Sequence, residues 1–155
     1  MNKSISLARR VQEVLLDGKW VANTNFKEQL LSVSWEQATA QVGDLNTIAL
    51  LAFHINYYLG GLLNVFDGGT LDIRDQYSFD LEPITSEEAW NALVSQFLTN
   101  AERFVRCVEA LPECTLDEVF VDVKYGTYAR NIEGVIEHSY YHLGQVVLVR
   151  KMVDG

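Results

Sequence analysis

Between Thr85 and Leu111 apolar side chains return every three or four residues: Trp90, Leu93, Val94, Phe97, Ala101, Phe104, Val105 and Val108. That period sets them on one face of a helix, which must bury the stripe against something else. The same spacing recurs three more times. Ser4 to Asp17 carries Ile5, Ala8, Val11, Val14 and Leu15 and stops at Gly18. A second helix is expected from about Asn46 to Phe66, ended by Asp67-Gly68-Gly69, and Pro112 closes the third. The fourth runs from Tyr128 to Val153 with Ile132, Val135, Val146 and Val149 on its stripe. Four such helices in 155 residues imply one domain, residues 1–155, of the all-α class, built as a four-helix bundle. Antiparallel neighbours need only a short loop, so the long connection 67–84 implies a crossover, with helices 2 and 3 parallel.

Smaller signals fill the gaps. Ser34-Trp35-Glu36-Gln37 reads as a capping box that opens a short helix, and one or two helical turns fit Lys27 to Leu31. Thr85 to Glu88 reads as a second capping box, with Pro83 just outside the helix. Val119, Val121 and Val123 alternate with Phe120, Asp122 and Lys124, the pattern of a short extended piece pairing with 71–73 or 77–79.

The formal charge of −9, with 12 scattered basic residues, excludes a nucleic-acid surface, which needs clustered Lys and Arg. The first residues contain Arg9-Arg10 and no apolar run of signal-peptide length. Thr47 to Phe66 is long enough to suggest a membrane span. It holds His54, Asn56, Gly60, Gly61 and Asn64 and has no companion, so a buried bundle helix is the better reading and no membrane partner is expected. Cys107 and Cys114 are expected as free thiols in a reducing cytosol, and the protein as cytoplasmic.

All three histidines fall in the two most apolar stretches. His138 and His142 stand one turn apart on the apolar stripe, so their imidazoles share a face; His54 is central in the second helix. Three buried imidazoles cost free energy unless their ring nitrogens have partners. A divalent ion shared by His54, His138 and His142 would supply them, and imidazole accepts zinc, nickel, copper or iron. Three protein ligands leave coordination positions open, the pattern of a catalytic site. A zinc-protease helix needs Glu directly after its first His; Ser139 stands there, and Glu137 points off the site. Gln145, one turn beyond His142, is expected to orient a ligand or bind a neighbouring helix. Tyr58 is a pocket or core residue, Gly144 a point of close helix packing, and Asn131 and Glu133 belong to a solvated face. No nucleophile–base–orienter triad and no glycine-rich phosphate loop occurs.

The run Gly134-x-x-x-His138-Ser-Tyr-Tyr-His142-Leu-Gly144-Gln145, with a lone His in the second helix, resembles the DinB-like (DinB/YfiT) superfamily. The likeness extends over nearly the whole chain, through the Trp90 helix and Lys124-Tyr125-Gly126-Thr127-Tyr128 leading into the last one. It implies an up-down-down-up bundle with a divalent metal at His54, His138 and His142, zinc or nickel first, iron or manganese as alternatives. It implies a metal-dependent S-transferase or hydrolase acting on a small-molecule substrate, with a low-molecular-weight thiol as co-substrate, and a homodimer. The other readings are a non-catalytic metal- or small-ligand-binding stress protein, and a bundle whose histidines are only core residues.

Overall fold

The computed structural model describes residues 1–154, and these are all-helical, with no β-strand among them. Six α-helices occur: α1 (Lys3–Gln12), α2 (Phe26–Leu31), α3 (Trp35–Thr39), α4 (Ile48–Phe66), α5 (Glu87–Ala110) and α6 (Tyr128–Asp154). The four long stripes of the sequence thus form α1, α4, α5 and α6. Helix α5 packs on α1 and α4, and α6 packs on α4 and α1. The short α2 and α3 cover the remaining flanks, α2 against α5 and α6, and α3 against α4, α5 and α6.

Every stripe residue expected on α5, from Trp90 to Val108, is buried. Phe97 is fully enclosed and its ring meets that of Phe26 at 5.3 Å, which anchors α2 to α5. Phe104 packs edge-on against Phe66 at the end of α4, and Phe66 in turn contacts Phe120 and Tyr128 at the start of α6. Burying a side chain of this size contributes about 2–3 kcal/mol, so these rings do much to hold α2, α4, α5 and α6 together. Helix α4 is long and apolar enough to cross a membrane, but 61% of its apolar window is buried inside the fold. Most of that window faces its neighbours in the fold.

Local chemistry sets the ends. Thr47 accepts the amide of Leu50 and caps α4; at the other end Gly68, with φ +92, takes the left-handed conformation that glycine tolerates. The capping box at Ser34 is present, with Gln37 returning the bond. Helix α1 does not continue to Asp17 as an α-helix: Glu13–Asp17 widen into a π turn, closed by the Gly18 amide on the Glu13 carbonyl at 3.1 Å. A Cβ at Gly18 would overlap the Glu13 side chain, so only glycine permits that closure.

Two expectations need correction. The cap of α5 is Ser86, not Thr85; Ser86 accepts the amide of Ala89, and alanine has no side chain to complete a box. The alternating valines form no strand and pair with neither 71–73 nor 77–79. Val119 makes one isolated bridge to Thr127 inside a tight loop, in which the Phe120 amide meets the Gly126 carbonyl at 2.9 Å. Phe120 alone is drawn into the core while Val119, Val121 and Val123 stay exposed. One anchored aromatic fixes this loop, so sheet pairing is not required.

Candidate metal centre

Helices α4 and α6 bring the three histidines to one point. The Nε2 atom of His138 lies 3.1 Å from Nε2 of His54 and 2.9 Å from Nε2 of His142. One ligand atom from each ring falls within 4.8 Å of the others. His54 and His142 are buried, and His138 is half-buried at the edge of a groove.

The other ring nitrogens determine which atoms are free. Nδ1 of His54 faces the carbonyl oxygen of Ser78 at 3.2 Å, and Nδ1 of His142 faces Oε1 of Gln145 at 2.6 Å. Both facing atoms are oxygens, which accept, so both Nδ1 atoms carry the proton and both Nε2 atoms present lone pairs. Gln145 thus holds the His142 ring from one turn further along α6. Tyr58 takes up the pocket role: its ring stands edge-on to His54 and His138, and its hydroxyl donates to Asp75 at 2.6 Å.

Burial pushes all three imidazoles toward the neutral form. Desolvation lowers His54 below its ordinary 6.5, with His142 adding to the effect and the Ser78 carbonyl opposing it. His138 falls to about 4 through desolvation and the proximity of His142 and His54. His142 is lowered by desolvation, against the bond to Gln145. Tyr58 is pushed up to about 12 by burial and its bond to the Asp75 carboxylate.

These facts test whether a metal fits. Three neutral imidazoles with converging lone pairs repel, and one N–H can bridge only one of the gaps. A divalent ion would satisfy all three. Nitrogens bound at the usual 2.0–2.1 Å to one ion stand about 3.0–3.4 Å apart, close to the two spacings that His138 makes here. The donor set is neutral, two of its three rings are held by Nδ1 partners, and such a set could hold a divalent transition metal.

The connection 67–84 closes over this site, which the sequence did not reveal. The Tyr57 hydroxyl donates to the Arg74 carbonyl at 3.0 Å and accepts the Arg74 amide at 2.7 Å. Gly61 lets Ile73 lie against α4, where a Cβ would strike the Ile73 side chain. Phe79 stacks flat on His54, centroids 4.0 Å apart and 5° from parallel. Asp75, Ser78 and Phe79 are thus parts of the site that no motif marked; a lone Phe in an acidic loop was the only hint.

Other expectations resolve simply. Glu137 points away, pairing with Arg130 on the surface. Asn131 ties the start of α6 to the Tyr125 and Thr127 carbonyls. Cys107 and Cys114 are free thiols. Gly144 makes no close helix contact: a Cβ there would meet nothing within 4 Å. The close approach is at Gly61 instead.

Beside the histidines, Tyr58, Asp75 and His138 line a groove of about 670 Å³ that extends between α4, α6 and both long connections. No protein-family model, curated protein or solved structure matches this chain.

Proposed function

We propose that this protein is a DinB-like four-helix bundle that binds one divalent metal at His54, His138 and His142 and uses it on a small molecule. The convergence of three Nε2 atoms at 2.9 and 3.1 Å, two of them fixed by Nδ1 partners, carries this reading. An up-down-down-up order is supported by contacts along the helices. The Lys3 amide reaches Glu113, so α1 begins where α5 ends. Asn56 bonds Asn100 and Asp67 pairs with Arg103, as for parallel α4 and α5. Phe66 meets Tyr128 while His54 meets His138 and His142, as for antiparallel α4 and α6.

The reaction class we favour is transfer to or hydrolysis of a small electrophile, with a low-molecular-weight thiol as the co-substrate of a transferase. A divalent ion held by the three imidazoles supplies Lewis acidity there. The chain itself provides orientation and shielding. Ser78 and Gln145 hold two rings with Nε2 forward, Phe79 covers one face of His54, and the groove leads to His138. The Tyr58 hydroxyl is kept protonated and aimed at Asp75 on the groove wall, where the pair can orient a bound polar group.

The test is metal content per chain by elemental mass spectrometry, on untagged protein purified without chelator, beside a His138→Ala, His142→Ala variant. About one ion per chain, absent from the variant, is the expected result. No ion, and none acquired from added zinc or nickel, would leave three core histidines and sink the proposal.

A further inference from the structure

The groove beside His138 runs against the charge of the protein. The chain carries a formal charge of −9, yet Arg74, Lys124 and Arg130 line this groove and, among the described residues, Asp75 is its only carboxylate. Asp75 is already engaged by the Tyr58 hydroxyl. Among the described residues neither Arg74 nor Lys124 forms an ion pair; the Lys124 ammonium rests over the Tyr125 ring, 5.0 Å from its centroid. Arg130 meets Glu137 at 3.3 Å, but both side chains are at least 60% exposed, and such a pair is weak in water. The lining also includes the apolar side chains of Leu62, Ile73, Phe120 and Val135. Cations with little compensation along a concave wall focus positive potential where a ligand would lie.

We propose that the groove binds a small molecule bearing an oxyanion, a carboxylate or phosphate monoester, joined to an apolar body. The cations take the charged group and the apolar side chains take the body, which sets the ligand alongside His138. This deepens the proposed function by naming the ligand class, and it rests on that reading only for what happens to the ligand once bound.

The test is calorimetric titration with hexanoate, hexyl phosphate and the neutral hexanamide. Either anion is expected to bind at least tenfold tighter than the amide. The preference should vanish in Lys124→Glu, Arg130→Glu and persist in Arg9→Glu, Arg10→Glu, the same charge change at exposed positions outside the groove. It should also persist in protein stripped of metal by chelator, since the cations and not an ion take the charge. Equal binding of acid and amide would overturn the proposal. So would an acid preference that survives the Lys124, Arg130 variant but disappears on chelation, because the anion would then be coordinating a metal. Absence of metal binding would defeat the functional reading and leave this one standing.

Discussion

Oε1 of Gln145 accepts the Nδ1 proton of His142 at 2.6 Å, across one turn of α6. The bond fixes the tautomer that leaves Nε2 free and points it at His138. Replacing Gln145 by Leu removes the acceptor and lets the ring turn. Such losses typically weaken metal binding about 10–100-fold. Competition with a zinc chelator is the measurement, with Gln145→Glu expected to retain affinity because its carboxylate still accepts. Unchanged affinity in Gln145→Leu would show that the packing of α6 alone orients the ring.

The metal-free protein should lose stability in mild acid. The three histidines titrate below 6.5 when folded, His138 at about 4, while the unfolded chain takes up protons near 6.5. Below pH 6.5 the unfolded state therefore binds more protons, and stability falls as the pH drops toward 4. Each histidine contributes at most about 1.4 kcal/mol per pH unit. Urea midpoints taken in chelator should fall between about pH 7 and pH 5, and fall less in His138→Ala. Equal declines in the two proteins would place the effect on other groups.

Tyr57 substitutes for a strand partner: its one hydroxyl serves both the amide and the carbonyl of Arg74. Tyr57→Phe leaves both groups to water and frees the connection that carries Asp75, Ser78 and Phe79. A cost of about 1–2 kcal/mol is expected, with faster hydrogen exchange at the Arg74 amide and weaker metal binding as His54 loses its Ser78 anchor. Exchange at the wild-type rate would mean that Ile73 and Phe79 hold the loop unaided.

Two helical glycines should respond oppositely to alanine. A methyl at Gly144 meets nothing within 4 Å, so the helix gains about 0.5–1 kcal/mol from reduced backbone freedom in the unfolded chain. At Gly61 the same methyl runs into Ile73 and must push the connection off α4. Thermal melting should rise for Gly144→Ala and fall for Gly61→Ala. A gain at Gly61 would show that Ile73 moves aside freely.

The all-α class, the positions of the long helices and the three histidines followed from periodicity and composition in the sequence. These are local properties. A 3.6-residue repeat marks a buried face whatever packs on it, which is why the α5 stripe from Trp90 to Val108 is buried throughout. His138 and His142 share a face through spacing alone. Only the tertiary structure decided what meets that face. His54 lies 84 residues from His138 and comes within 3.1 Å because α4 and α6 pack together. Asp75, Ser78 and Phe79 sit on a connection without periodicity, held by Tyr57, Tyr58 and the space at Gly61. The same holds for the valines at 119–123, whose alternation suggested a strand until the burial of Phe120 decided otherwise. Side-chain spacing specifies a face, but partners distant in the chain are chosen by packing, and the site belongs to those partners as much as to the helix that announced it.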